Sequence, residues 1–243
     1  MPSLVLHQWE MSPFCNKARK CLAYKGLAFE TKEYNGLLAR QAAKLSGQGT
    51  LPVLEANGEF IVDSPAIAAY LDKLQPEPPL YPRDPEALAM ARFWEDWAGQ
   101  SLYFYELHYR FLEPEAFDKA LDLISRGRPA FERALLSVVM RGQFPKKLKA
   151  QGLGRVPREE IERRLLVHLG DLEAVLSRRT WLVGNAPSIA DFSVAAQLDE
   201  FVRTSRLAER VLSFPAIKDW LARTANPTRA TRPALVVEPR IAD

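Results

Sequence analysis

The sequence predicts a small α/β domain followed by an all-α domain, on three observations. Residues 3 to 74 alternate strand-like and helix-like runs and carry the hairpin dipeptide Asn57-Gly58. Five prolines (Pro76, Pro78, Pro79, Pro82 and Pro85) crowd residues 75 to 85 and forbid helix interior there. From Glu86 onward apolar residues keep helical spacing, and no run reads as a strand. The expected division is a sheet domain over 1–76, a Pro-rich linker over 77–86 and a helical domain over 87–243.

Taken in order, residues 3 to 9 with Leu4-Val5-Leu6 read as a strand. Ser12-Pro13 then opens a helix, because Pro at the first helical position leaves no N–H unpaired. Phe14, Ala18 and Leu22 share one stripe of that helix, and Gly26 stops it. Ala28 to Tyr34 reads as a second strand, and 35 to 49 as mixed helix and loop. Leu51 to Glu55 and Glu59 to Val62 form the hairpin arms, and Pro52, which cannot donate to a ladder, sits at a strand start, an edge or a cis turn. Ser64 is the expected cap and Pro65 the first residue of a helix with Ile67, Leu71 and Leu74 inward. Beyond the prolines, Leu88 to Leu112 is one long aromatic helix, in which Trp94 and Trp97 are assigned to packing, and Glu115–Ser125 and Ala130–Val139 continue in helical period. Residues 141 to 158 carry six basic and no acidic side chains with interspersed Gly and Pro, and read as a partly irregular connection. Glu159 to Leu176 is a clear amphipathic helix; Ser188 and Asp191 have capping-box spacing, and a last helix starts near Pro215. The tail from Ala225, with Pro227, Pro233 and Pro239, reads as extended.

Composition limits the function classes. With 47% hydrophobic and 26% charged residues the chain is ordinary globular protein, and its net charge of +3 does not by itself imply a nucleic-acid partner. The basic stretch carries only Phe144 as a stacking aromatic, so it reads as solvated surface. No run approaches the ~20 apolar residues of a membrane span, and the first residues lack the pattern of a signal peptide. Cys15 and Cys21 lie six residues apart on one helix, a rise of roughly 9 Å, too far to bridge. The absence of a disulfide framework leads to the expectation of a cytoplasmic protein. His7, His108 and His168 are scattered, and no metal-ligand spacing occurs.

Ser12-Pro13-Phe14-Cys15 is the candidate stretch for chemistry. A helix start gathers unpaired N–H groups and partial positive charge, which stabilise a thiolate, and a serine there can donate to that thiolate without being a nucleophile. The same Ser12 is also an ordinary N-cap candidate.

Together with Arg19, Leu51-Pro52-Val53-Leu54, Asp63-Ser64 and Ser188-Ile189-Ala190-Asp191, this stretch resembles the cytosolic glutathione transferase superfamily, in its serine-type classes. The resemblance implies a thioredoxin-like α/β N-terminal domain, an all-α C-terminal domain, glutathione as co-substrate, a homodimer, and no metal, membrane or nucleic acid. It implies that Ser12 is catalytic and that Ser12, Phe14, Gln48, Thr50, Leu51, Pro52, Asp63 and Ser64 bind glutathione. The backbone of Leu51, held by a cis Pro52, would pair with the cysteinyl part, Ser64 would hold the γ-glutamyl carboxylate, and Asp63 would lie near the amine. Thr50 stands where several related classes place a basic residue, leaving Lys44 or Gln48 for that part. Tyr103, Tyr105 and His108 are candidates for an acceptor pocket, with packing as the alternative for such aromatics. The leading expectation is a transferase that conjugates glutathione to a small hydrophobic electrophile. The rivals are glutathione-dependent thiol-disulfide exchange through Cys15 and a non-catalytic binding or assembly protein.

Overall fold

A computed structural model describes residues 3–225, so the proline-bearing tail expected to be extended lies outside the described residues. The first part of the chain runs β1 (Leu4–Gln8), α1 (Pro13–Tyr24), β2 (Glu30–Glu33), a 3-10 turn (Gly36–Leu38), α2 (Ala39–Ser46), β3 (Val53–Ala56), β4 (Glu59–Val62) and α3 (Ser64–Leu74). The sheet order is β2-β1-β3-β4. β1 and β2 are parallel, with Val5 opposite Glu30, a pairing that needs α1 as its crossover. β3 is antiparallel to both neighbours, with Leu54 opposite Leu6 on one side and Ile61 on the other. Asn57 at φ 52° and Gly58 at φ 85° turn the hairpin in the left-handed region that a type I′ turn demands. Edge strand β2 keeps Glu30, Thr31 and Lys32 exposed, which discourages further strand pairing.

The linker after α3 is held by one buried cation. Lys25 Nζ donates to Asp72 Oδ1 at 2.5 Å, to the Gln75 carbonyl at 2.6 Å and to the Pro78 carbonyl at 2.6 Å. Asp72 in turn accepts from the N–H groups of Leu80 at 2.8 Å and Tyr81 at 2.9 Å. Extended backbone rich in proline has few N–H groups to offer a sheet, and side chains satisfy those it has.

The helical part comprises α4 (Pro85–Trp97), α5 (Tyr103–Phe111), α6 (Pro114–Ile124), α7 (Ala130–Gln151), α8 (Arg158–Leu176), α9 (Ile189–Thr204), α10 (Ala208–Leu212) and α11 (Pro215–Ala225). Helix α9 is buried along nearly its whole length and packs on α1, α4 and α5, so it joins the two parts. The face of α8 read from the sequence, Ile161, Leu165, Leu169, Leu172 and Leu176, is buried throughout.

Three sequence expectations need correction. The helix expected over Leu88 to Leu112 starts at Pro85 and is interrupted by a π turn at Ala98–Leu102. The basic connection expected to be irregular is helix as far as Gln151, with Pro145 inside it. Tertiary anchors outweigh the proline there: Phe144 stacks on Phe111 with centroids 3.7 Å apart, the Arg141 guanidinium lies 4.1 Å over the Phe117 ring, and Leu148 is fully buried. The N-cap of α3 is Asp63, not Ser64: its Oδ1 accepts from the Ser64 N–H at 2.7 Å with Asp63 at φ 78°.

Asp191 organises the C-terminal core. It is fully buried and accepts from Leu182 N at 2.9 Å, Ser188 N at 3.0 Å, Ser188 Oγ at 3.2 Å and Trp220 Nε1 at 2.9 Å. Asp191→Ala removes a helix cap and orphans three buried N–H donors, so it is expected to lower stability by about 3–5 kcal/mol. Urea denaturation checks this, and a loss below about 1 kcal/mol would contradict the role given to Asp191.

Candidate active site

Ser12 closes the turn between β1 and α1. Its N–H donates to the Trp9 carbonyl at 3.0 Å, its carbonyl accepts from Asn16 N at 2.8 Å, and its Oγ accepts from Cys15 N at 3.4 Å. The hydroxyl is thus an N-cap that keeps its own proton free to donate. No acidic residue occupies the first turn of α1, so the positive end of the helix is uncompensated. Ser12 lies on the wall of a cavity of about 850 Å³ between the sheet domain and α4, α5 and α7.

The other residues expected to bind the peptide gather on the same cavity. Phe14, Gln48, Thr50, Leu51, Asp63 and Ser64 all line it. Lys44 does not, which leaves Gln48 and Thr50 at that end without a basic side chain from α2. Pro52 lies behind the wall: the Leu51–Pro52 peptide is cis, and the Pro52 carbonyl accepts from Asp63 N at 3.3 Å. Ser64 is 1% exposed, and its hydroxyl has no partner among the described residues. An unpartnered buried hydroxyl at a helix start is an unfilled hydrogen-bonding position on the cavity wall.

Of the acceptor-pocket candidates, only Tyr103 belongs to this cavity. Its ring meets Phe14 edge-on at 4.9 Å, and its hydroxyl accepts from Lys147 Nζ at 3.2 Å. Burial pushes its phenol pKa up, so it remains a proton-bearing group. Tyr105 and His108 are corrected to packing residues. Tyr105 sits on the far side of α5 against His168, with ring centroids 5.7 Å apart, and His108 is buried edge-on to Tyr109 at 5.1 Å. At about 100° per residue, positions 105 and 108 point roughly 200° and 140° away from position 103, so the three cannot share one cleft, whereas Tyr103, Glu106 and Leu107 do.

Sequence reasoning missed Met140, Phe144 and Lys147 on α7, and Glu106 and Arg110 on α5, all of which line the cavity. The 140, 144, 147, 148 spacing was a helical signal hidden by Pro145. Glu106 and Arg110, four apart among aromatics, had the spacing of a helical ion pair, and both are buried as one. Burial pushes the Glu106 carboxyl up to about 7.

Cys15 is fully buried in a cluster with Tyr34, Ala42, Leu51 and Val53. Desolvation pushes its thiol up to about 11, outweighing the charge of Arg19.

Comparison with known proteins places this geometry. The chain matches the glutathione S-transferase N-terminal domain over residues 6–79 and the glutathione S-transferase C-terminal domain over residues 138–227, between them the greater part of its length. It is 28% identical over 198 residues to FtsZ-localized protein A of Caulobacter vibrioides, a match covering 79% of this chain and 75% of that protein. It is 35% identical over 89 residues to a glutathione S-transferase of Pseudomonas putida, covering 37% of this chain and only 40% of that one. Among solved structures, FzlA from C. crescentus superposes with TM-score 0.62 at 25% identity, covering 95% of this chain and 93% of that one. A glutathione S-transferase from Rhodospirillum rubrum gives TM-score 0.62 at 22% identity over 97% of this chain and 96% of that one, a likeness of fold. A thioredoxin-like sheet domain, an all-helical domain and matches to both halves identify the chain as a member of the cytosolic glutathione transferase superfamily.

Proposed function

We propose that the chain is a glutathione transferase that holds the glutathione thiol as a thiolate for attack on a small hydrophobic electrophile. The observation that carries this reading is the convergence of two helix starts on one cavity: α1 with the Ser12 hydroxyl, and α3 with the unpartnered Ser64 hydroxyl. Two positive helix ends suit a ligand with a thiolate at one point and a carboxylate at another. Ser12 donates to the sulfur, Ser64 and the first N–H groups of α3 take the γ-glutamyl carboxylate, and Asp63 faces the amine. The backbone of Leu51 pairs with the cysteinyl unit, and Gln48 and Thr50 lie toward the glycine end. The thiol proton passes to water, the sulfur electron pair forms the new carbon–sulfur bond, and the leaving group departs with its own pair. Phe14, Tyr103, Met140 and Phe144 offer the electrophile an apolar and aromatic wall.

Homodimerisation belongs to the same reading. Met90 and Phe93 on α4 are 45% and 70% exposed and, with Trp94, Trp97, His168 and Leu172, line an apolar groove outside the cleft. The described residues contain no helix long and apolar enough to cross a membrane, and a cytoplasmic location remains part of the proposal.

A second reading rests on the relative whose name associates it with FtsZ: a binding or assembly protein that keeps the fold. Calorimetry with glutathione separates the two, since micromolar binding favours the transferase and its absence the assembly role.

Ser12→Ala is expected to lower kcat for glutathione conjugation to a chlorodinitrobenzene by about 100-fold while binding of glutathione changes little. Unchanged turnover would end the assignment. Exchange chemistry through Cys15 is opposed by its burial, and iodoacetamide near pH 8 is expected to leave both cysteines unmodified in the folded protein and alkylate both in denaturant. The thiol values, about 11 for Cys15 and about 12 for Cys21, lie above the ordinary 9.0, so the unfolded chain ionises first. The two thiols therefore support the fold below about pH 9, and that support is lost as pH climbs toward 11 to 12; a stability profile flat across this range would contradict their burial.

A further inference from the structure

The peptide unit joining Met11 to Ser12 is pinned at both ends. Its N–H, that of Ser12, donates to the Trp9 carbonyl at 3.0 Å. Its carbonyl, that of Met11, accepts from Arg110 Nη1 on α5 at 3.0 Å. A peptide unit is planar, so fixing both polar ends sets the direction in which the chain enters Ser12. The first anchor is local, whereas the second comes from the helical domain.

Arg110 is itself tightly placed. It is 3% exposed, pairs with Glu106 one turn back on α5, and lies 3.6 Å from Glu200 on α9. Glu200 also faces Arg203 at 3.5 Å, Arg19 at 3.8 Å and Asn16 Nδ2 at 3.5 Å. The preceding carbonyl, of Glu10, accepts from Arg19 Nη2 at 2.8 Å, and the Glu10 carboxylate is gripped by both terminal nitrogens of Arg203 at 2.8 Å. Each carbonyl just ahead of Ser12 therefore ends on a guanidinium, and only that of Met11 ends on one from α5.

We propose that Arg110 is a positioning residue for Ser12, aiming the hydroxyl and the start of α1 at the glutathione sulfur from across the domain interface. This rests on the transferase reading above. Arg110 lies on the cavity floor, and its work is done through the Met11 carbonyl. A guanidinium donates along fixed directions, whereas an ammonium on a flexible stem does not, so charge and direction can be separated by substitution.

The test uses the full chain with Arg110→Lys and Arg110→Met. Lys20→Met is the control, because Lys20 also crosses the interface, to Asp199 at 2.8 Å and the Thr224 carbonyl at 3.1 Å, without touching the residues before Ser12. Three quantities are read: the ultraviolet absorbance of bound glutathione thiolate against pH, kcat and KM for glutathione with a chlorodinitrobenzene, and amide exchange over residues 9–16. Both Arg110 variants are expected to lower the thiolate fraction at neutral pH and kcat about tenfold, with KM changed less than about threefold, and to speed exchange over 9–16. Lys20→Met is expected to leave the thiolate fraction in place. If Arg110→Met does not fold, Arg110→Lys, which keeps the charge, decides alone. Wild-type protein that binds no glutathione ends both readings. Wild type that ionises glutathione while the Arg110 variants ionise it equally well, or while Lys20→Met impairs it as much as they do, ends this proposal and leaves the transferase reading intact.

Discussion

Buried charge at the seam between the sheet domain and the helices is the constraint on which the cleft depends. Arg110 is almost fully buried at the floor of the cavity, and its guanidinium is tolerated there because Glu106 and Glu200 face it. Such clusters add little net stability, since desolvation offsets most of the attraction, but removing one member strands the others at a cost of about 3–5 kcal/mol. Their effect is therefore to make one arrangement of the two domains much better than its neighbours. A wholly apolar seam would tolerate sliding, whereas the carboxylates Asp199 and Glu200 on α9 opposite Asn16, Arg19 and Lys20 allow little. A second grip lies at the N-terminus of α7. Glu132 accepts from Leu37 N at 2.8 Å while pairing with Arg128, and the adjoining Gly36 sits at φ 65°, a left-handed conformation that favours glycine.

The two ends of the cavity obey different physics. The end toward β3 and α3 is built from backbone, a cis peptide and helix starts, whose positions are fixed by the fold. The opposite end is built from side chains of α4, α5 and α7 and from the π turn that joins α4 to α5. A π turn shifts the phase of the helix that follows it, and here it sends Gly99, Gln100 and Tyr103 toward the cleft. Met140, an unbranched side chain, can adapt to a ligand by changing rotamer, while the caps across the cavity cannot. Such a division suits an enzyme with one invariant substrate and one variable one.

How legible this was in the sequence follows the same division. Features set by local chemistry were readable: the Asn57-Gly58 hairpin, Pro13 and Pro65 at helix starts, Ser188 with Asp191, and the inner face of α8. Each depends on residues close in sequence, where turn and cap geometry is nearly deterministic. Features set by distant contacts were not readable. Pro145 argues against helix on its own, and only Phe111 and Phe117, nearly thirty or more residues upstream, explain why α7 runs through it. Tyr105 and His108 were plausible wall residues until the phase of α5 turned Tyr103, Glu106 and Arg110 inward instead. The Arg110 contact spans 99 residues and had no local signature at all.

The choice between Ser12 and Cys15 shows why burial rather than composition decides the chemistry. Both lie at the start of α1, where helix N–H groups would lower a thiol pKa. Cys15 lies one turn in, its side chain packed against Leu51 and Val53, and there desolvation outweighs the helix field. Ser12 stands at the cavity wall, but an alcohol ionises far too reluctantly to become a nucleophile without a base, and among the described residues no histidine lines the cavity. The one position open to a reactant therefore offers a donor and not a nucleophile. A site of that kind can stabilise an anion delivered to it, which is what the proposed transferase reading asks of it.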